Sequence, residues 1–491
     1  VVEVSPPNDT SLGDLATPIP LKLSKQLQKP PYEIARMMSE FISRKVEKDL
    51  VASVEAHPSG YLNFRLDWAR FTHESIGEIL ASGAVGEVDV GEKRGVAIEH
   101  TNVNPNKALH VGHARNLVLG DSLARIMDHL GYAVQVLNYV DDSGAQVADV
   151  IVGFEFLGYS ESPPAGMKFD AYCGDSIYTK VNQEYERDPS LKEKQRLVLL
   201  EIEKGEGKVS ERARRIVDRI LADQLKTCWR LGARYDLLNW ESHILKAGMW
   251  EGVFEELKRR GIAKFETEGE NAGCWVISDQ GVGEEKVLVR SDGTIVYVAK
   301  DIPYAAWKIG VVNDPFRYEV YTGQPDKTLW TTTTGWGRPD HPRFGSAELA
   351  ISVIDARQSN LQEIVAWVLG KLANVTESKR YRHRAYEVVA LSRSSAESIG
   401  IKTEKEFVHM SGRKGVFINT DTVLDLLKKN AANETRKRNE GAADDWVEQV
   451  AEGIAVSALR YELVKQDPDK MIVFDVQESL RLDGDTGPYL M

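Results

Sequence analysis

Residues 96–140 restrict the fold more tightly than any other stretch of this chain. Val96-Ala97-Ile98-Glu99 is a short apolar run of the kind that forms a buried strand, and Val134–Val140 is a second. Between them Leu119, Leu123, Ile126 and Leu130 recur at helical spacing, and Gly131 supplies a left-handed stop. The spacing predicts a helix from Gly112 to Leu130. Strand, helix and strand in this order form a βαβ crossover. That unit joins parallel strands with a fixed hand and puts ligands at the carboxyl edge of the sheet. An α/β core with a parallel sheet is expected.

The flanking pattern divides the rest of the chain. In residues 1–90, Pro30-Pro31 precedes a helical stripe of Ile34, Met37, Met38, Phe41 and Ile42. A strand pattern, Tyr61–Leu66, follows the turn signal Ser59-Gly60, and the glycine-rich, charged run Gly83–Gly95 reads as a linker. Residues 91–169 hold the first half of the α/β core. Residues 170–285 are helical and charged (Leu191–Lys204, Ile216–Leu231) and read as an inserted region. Strand patterns resume within 286–405, at Lys286–Arg290, Thr294–Val298 and Leu349–Ile354. Residues 406–491 turn helical, with apolar Val423, Leu424, Leu426 and Leu427 and a second helical run from Trp446 to Val464.

Composition excludes several classes. Of the 491 residues, 62 are Lys or Arg and 74 are Asp or Glu, a net charge of −12 that rules out coating nucleic acid by bulk positive charge. Local basic patches remain open, because phosphate affinity is a property of a patch. Cys173, Cys228 and Cys274 are spaced for neither a disulfide framework nor a CxxC zinc site, so a reducing compartment is expected. No run approaches 18 apolar residues, and Val1–Leu15 has no basic segment leading into an apolar one. A cytoplasmic protein without membrane association is expected, its start lying upstream of Val1.

His110-Val111-Gly112-His113 stands where the polar loop meets the first helix of the βαβ unit. Histidines at i and i+3 project from one side of the first turn, the glycine lets a ligand approach the backbone, and the helix start offers free N–H groups to an anion. A pair of packed histidines is the plainer alternative. Far downstream, His409-Met410-Ser411-Gly412-Arg413-Lys414-Gly415 is a glycine-bounded basic loop that suits a polyphosphate, or simply a solvated turn. Lys379–Arg384 and Arg436–Arg438 are basic runs, the first with Tyr381 interleaved; backbone binding with base stacking is one use, a solvated face the other.

An HxGH at the first βα junction with a late Met-Ser basic loop resembles the class I aminoacyl-tRNA synthetases. The flanking strings narrow the resemblance to the arginyl-tRNA synthetases: Glu99-His100-Thr101-Asn102-Val103-Asn104-Pro105-Asn106-Lys107, Ala114-Arg115-Asn116, Leu288–Thr294, Tyr297-Val298-Ala299-Lys300-Asp301, Val353–Gln358 and Thr486-Gly487-Pro488-Tyr489. The resemblance runs through nearly the whole chain. It implies a Rossmann-like core split by an insertion, an N-terminal α+β tRNA-binding domain over 1–90, and a C-terminal helical segment that begins an anticodon-binding domain cut short at Met491.

By the same resemblance the chain ligates L-arginine to tRNA(Arg) with ATP, through an arginyl-adenylate, releasing pyrophosphate and AMP. His110, Gly112, His113, Lys107, Ser411, Arg413 and Lys414 would be catalytic. Asn106, Met410 and Gly412 would join His110, Gly112, His113, Ser411, Arg413 and Lys414 around ATP. Asp301 and Tyr297 would hold the guanidinium, Gln358 would line the pocket, and Glu99 and Asn104 would receive the α-amino end near His110. Mg²⁺ would accompany ATP, with no protein metal site identified. Contacts to tRNA would fall on Tyr61, Asn63, Arg380, Arg382, Arg436, Lys437 and Arg438, and a monomer is expected. One departure is visible: His409 precedes Met410 and Gly412 takes the position of the usual lysine, so Lys107 is the candidate for supplying the missing charge. The other readings are a cysteinyl or glutamyl enzyme of the same class, or a catalytically silent tRNA-binding protein derived from one.

Overall fold

The computed structural model describes residues 3–45, 50–82, 86, 88–277, 285–373, 380–398, 400–409, 418–481 and 483–490. The chain forms two compact units, Val1–Glu87 and Val88–Met491. In the first, β1 (Leu15–Thr17), β2 (Val51–Ala56) and β3 (Leu62–Leu66) form an antiparallel sheet in the order β1-β3-β2, with helices Ile19–Leu27, Pro31–Lys45 and Trp68–Ser82. Pro31 opens its helix, where a missing N–H costs nothing. Ile34 and Ala35 are buried, whereas Met37 and Phe41 of the expected stripe point outward. Asp14 pins β1 to the end of β3 by accepting from Leu66 N (2.8 Å) and Trp68 Nε1 (3.2 Å).

The second unit is built on β4 (Gly95–Glu99) and β5 (Ala133–Val140), parallel and joined by the helix Val111–His129. Val96, Ala97 and Ile98 are fully buried, as an apolar central strand requires. The helix ends in a Schellman cap: Gly131 takes φ +85°, Tyr132 N bonds Met127 O (3.1 Å) and Gly131 N bonds Asp128 O (2.9 Å). Its core face is Ala114, Leu117, Val118 and Ala124 rather than the Leu119–Ile126 stripe, and Ile126 is exposed.

Residues 170–285 do not stand apart from the core, as an insertion would. After helices Ser190–Lys204 and Lys208–Arg230, β6 (Leu237–Trp240) enters the main sheet beside β5, because its four residues are buried on both faces. β7 (Ala263–Phe265), β8 (Trp275–Ile277) and β9 (Lys286–Val289) then form a small antiparallel sheet. The expected strand Thr294–Val298 is instead a turn and a helix start. Gly293 (φ +84°) reverses the chain, Ile295 makes one bridge to Val289, and a helix runs from Tyr297 to Lys308. Buried Ala299, Ile302, Ala305 and Ala306 repeat with helical period just beyond the β-branched residues that suggested a strand.

β10 (Arg317–Gly323), β11 (Thr328–Thr333), β12 (Leu349–Asp355) and β13 (Tyr381–Tyr386) complete the main sheet, ordered β10-β11-β6-β5-β4-β12-β13, with only β10 antiparallel among the described strands. The strand order reverses between β4 and β12, where such sheets open a crevice at their carboxyl ends. Beyond it, β14 (Val389–Ser392), β15 (Phe407–His409) and β16 (Ile472–Phe474) form a second small sheet, and helices Thr420–Arg438 and Asp444–Val464 pack through Ala431, Ala432, Val447 and Ala451.

Candidate active site

A cavity of about 500 Å³ opens at that reversal point, lined by the ends of β4, β5 and β12, the start of the Val111–His129 helix and the Tyr297–Lys308 helix. It brings together Glu99, Asn104, His110, Gly112, His113, Asp301 and Gln358 of the sequence expectations.

The two histidines build their own helix start. His110 is the N-cap: its Nδ1 accepts from His113 N (3.3 Å), and His113 Nδ1 accepts from His110 N (3.2 Å). This reciprocal pair is a capping box made of imidazoles, and it stacks the rings 3.5 Å apart. Burial, then the Lys107 charge, brings the His110 pKa down to about 3. Burial, His110 and Lys107 hold His113 well below the ordinary range. Both rings are therefore neutral near pH 7, and with Nδ1 accepting, each proton sits on Nε2. The pair offers two preset N–H donors beside a helix N-terminus.

The loop before it is strained and over-determined. Thr101 (φ +75°) and Asn102 (φ +45°) both adopt left-handed backbone, which is costly for a β-branched threonine. Three asparagines hold it. Asn116 Oδ1 accepts from Thr101 N (2.5 Å), Asn138 Oδ1 accepts from Asn102 N (3.1 Å), and Asn102 Oδ1 accepts from Tyr139 N (2.8 Å). Gln224, from the helix Lys208–Arg230, donates to Asn104 O (3.1 Å) and Lys107 O (2.7 Å). Gly120 is needed behind the loop, since a Cβ there would lie 2.3 Å from the His100 ring.

The acidic end of the cavity comes from the helix Tyr297–Lys308 and from β4. Burial, and next the Glu99 charge, push the Asp301 pKa up to about 7, against the opposing Lys308 charge and a bond from Gln362 Nε2 (3.3 Å). Gln362 is fixed in turn by Tyr381 OH, 2.6 Å from its Oε1. Glu99 is buried and already engaged: Oε2 pairs with Lys308 Nζ and accepts from Ser352 Oγ (2.8 Å), and Oε1 accepts from Asn102 Nδ2 (2.7 Å). Separating such a buried pair costs about 3–5 kcal/mol. Asn104 Nδ2 donates to Asp141 (3.2 Å). Sequence reasoning missed Lys308, Ser352, Gln362 and Tyr381. The signal for two of them was helical period: Lys308 is seven residues past Asp301, and Gln362 four past Gln358.

Other expected residues fall elsewhere. Asn106 and Lys107 are buried and do not line the cavity; Lys107 Nζ donates to Asn106 Oδ1 (3.1 Å) and Gln146 Oε1 (3.3 Å). Lys107 thus acts on the histidines through its charge. Met410, Ser411, Gly412, Arg413 and Lys414 lie outside the described residues, as does the side chain of Tyr297. The chain just beyond that loop meets the motif: Val111 N bonds Ile418 O (3.2 Å), and Thr420 N bonds Leu109 O (2.7 Å).

Of the expected RNA contacts, Asn63 is buried and Tyr61 is 41% exposed. Arg380 spends its guanidinium on the carbonyls of Ile309, Ala347 and Glu348. Arg436 pairs with Asp444 and Glu448, and Lys437 with Glu434. Arg382 and Arg438 are exposed.

Two family models match the chain: "tRNA synthetases class I (R), catalytic domain" over residues 75–324 and "Arginyl tRNA synthetase N terminal domain" over residues 1–66. An arginine–tRNA ligase from Thermococcus sibiricus is 35% identical over 495 residues, covering 97% of this chain and 74% of the relative. One from Thermus thermophilus is 36% identical over 488 residues, again covering 97% and 74%. The solved structure of Thermus thermophilus arginyl-tRNA synthetase matches with a TM-score of 0.81 at 33% identity, over 100% of this chain and 76% of that one.

Proposed function

The chain belongs to the class I arginyl-tRNA synthetases, and from that membership we propose how the residues of its cavity divide the work. The enzyme is an arginine–tRNA ligase: it uses ATP to join L-arginine to its tRNA. Asp301 receives the guanidinium, whose rigid fork suits a carboxylate, with Tyr297, Gln358 and the Gln362–Tyr381 pair around it. Asn104, and the carboxylate face of Glu99 that Lys308 leaves open, take the α-ammonium group.

The arginine carboxylate attacks the α-phosphorus of ATP, forming the mixed anhydride of arginyl-adenylate as the bond to pyrophosphate breaks. No covalent protein nucleophile is required. The barrier lies in aligning two anions and stabilising charge on the phosphoryl oxygens. The Nε2–H groups of His110 and His113 donate to those oxygens, with Gly112 and the helix start beside them. Ser411, Arg413 and Lys414 hold the leaving pyrophosphate, and Met410 and Gly412 shape the ATP site, while buried Asn106 acts only by accepting from Lys107 Nζ behind it. What supports this is the pairing of Ile418 and Thr420, just after that loop, with the residues flanking His110. Mg²⁺ enters with ATP as part of the substrate. In the second step the terminal adenosine hydroxyl of tRNA attacks the activated carbonyl and AMP leaves.

The same reading gives the N-terminal unit a tRNA contact through Tyr61, with Arg382 and Arg438 as the exposed cations of the second unit. It also takes the enzyme to be a cytoplasmic monomer, which light scattering of the purified protein tests. No helix among the described residues is long and apolar enough to cross a membrane. The observation that carries the reading is one cavity holding both the neutral histidine pair and the buried Asp301. ATP–pyrophosphate exchange with each of the common amino acids, with and without tRNA, tests it. Exchange should depend on arginine; exchange with glutamate or cysteine in its place would overturn it.

A further inference from the structure

Against the residues that lead into His110 the chain makes a π-helical turn, Tyr172–Tyr178. Thr179 closes its widened ring: the Thr179 N–H and Oγ1 (3.0 Å) both bond Gly174 O, five residues back. The turn meets the histidine motif at two places. At Gly174 its backbone packs on Lys107, three residues before His110, and a Cβ there would lie 2.5 Å from the Lys107 Cβ. The Lys107 ammonium stands over the Tyr178 ring, 5.5 Å from its centre. At the next residue of the turn, Asp175 Oδ2 accepts from Asn419 Nδ2 (2.9 Å). Asn419 is the residue bridged to His110, through Val111 N to Ile418 O (3.2 Å) and Thr420 N to Leu109 O (2.7 Å). Asn419 Oδ1 is buried and meets no donor among the described residues, so the bond to Asp175 is what tethers this side chain.

We propose that Asp175 is a positioning residue for the phosphoryl-transfer step: by holding Asn419 it fixes the backbone bridge that sets His110. The proposal rests on the reading of His110 as a donor to the phosphoryl oxygens. Asp175 is exposed and does not line the cavity, so it touches no substrate, and its removal strands no buried charge. Its reach to the site is through the backbone. His110 is an N-cap whose Nδ1 is spent on His113 N, so the direction of Nε2–H follows the peptides on either side of it. Those peptides are held along the chain at Lys107 and across the bridge at Asn419. Gly174 and Asp175 are neighbours, so one closed turn places both holds. A preset donor works only within about 0.5 Å of its productive position, and a 1 Å misplacement costs about 100-fold in rate. Loosening one of the two holds therefore acts on the chemical step and leaves substrate binding and global stability alone.

ATP–pyrophosphate exchange in the presence of tRNA tests this, with kcat and the KM values for arginine and ATP measured separately. The proteins are the wild type, Asp175→Ala, Asp175→Asn, Asn419→Ala and the double variant Asp175→Ala/Asn419→Ala. Asp175→Ala should lower kcat about tenfold, with both KM values and the urea midpoint little changed. Asp175→Asn keeps an oxygen that can accept from Asn419, and should recover most of the wild-type kcat. Asn419→Ala should be as slow as Asp175→Ala, and the double variant no slower than either, because both remove the same tether. An unchanged kcat in Asp175→Ala, an Asp175→Asn as slow as Asp175→Ala, or losses that multiply in the double variant would overturn the proposal. Should Asp175→Ala not fold, Asn419→Ala decides: a tenfold lower kcat at unchanged KM values supports the proposal, and a wild-type kcat refutes it. His110→Ala keeps the two failures apart. A wild-type kcat in that variant would sink the underlying reading of His110, whereas a slow His110→Ala beside a fast Asp175→Ala would sink the tether alone.

Discussion

Asn116→Ala probes the strained loop that sets the floor of the site. The side chain is buried, and it accepts from Thr101 N (2.5 Å) while donating to Val353 O (2.7 Å) and Tyr386 OH (3.2 Å). Truncation strands a buried N–H and a buried carbonyl, at about 1–3 kcal/mol each. Relaxation of Thr101 out of its φ of +75° returns at most about 1–3 kcal/mol, and only by moving the loop. The desolvation losses exceed that relief, leaving a net destabilisation of about 2 kcal/mol. Because Asn104 follows three residues after Thr101, the arginine KM should rise as well. Urea unfolding at unchanged m value measures the first effect and exchange kinetics the second. A stability change below about 0.5 kcal/mol, the scale of an ordinary surface substitution, would refute the clamp.

The kcat/KM for arginine should fall on the acid side of about pH 7, because Asp301, pushed up to about 7, must be ionised to receive a guanidinium. No matching limb should come from His110 or His113, whose pKa values burial holds far below neutrality; a limb in the ATP profile that vanishes in His113→Ala would contradict this. His113→Ala should slow adenylation by about 10²-fold, the usual scale for losing a transition-state donor, and an unchanged single-turnover rate would make the ring purely structural. Arg115→Met should destabilise the second unit by about 2–4 kcal/mol, since the buried guanidinium bonds the carbonyls of Glu387, Lys470 (2.8 Å) and Asp467 (3.3 Å). An unaltered urea midpoint would show that these bonds do not tie the helix Val111–His129 to the strands beyond it.

What was legible in the sequence followed from short-range rules. The apolar strands around 96–99 and 134–140, the Gly131 stop and the histidine pair all act within a few residues of themselves, and each lies where its pattern put it. The long-range facts were not legible. Leu237–Trp240 reads as a brief apolar run in a charged stretch, and only its neighbours β5 and β11 make it a central strand. Thr294–Val298 has strand composition, but Gly293 and the helical period after it prevail. The charge state of the histidines depends on burial and on Lys107, which no spacing reveals. Arg380 sits in a basic run that suggests RNA, yet three carbonyls converge on it in the fold. Glu99 was legible as a site residue, but its partner lies 209 positions away, at the end of the helix Tyr297–Lys308.

The most direct measurement is the binding of arginine and of ATP, each alone, to Asp301→Asn. Losing one charge-assisted partner at about 1.5–3 kcal/mol should weaken arginine by about tenfold to a hundredfold, with ATP affinity unchanged. Equal losses for both ligands, or arginine bound as tightly as by the wild type, would contradict a cavity divided between a guanidinium end at Asp301 and a phosphate end at the two imidazoles.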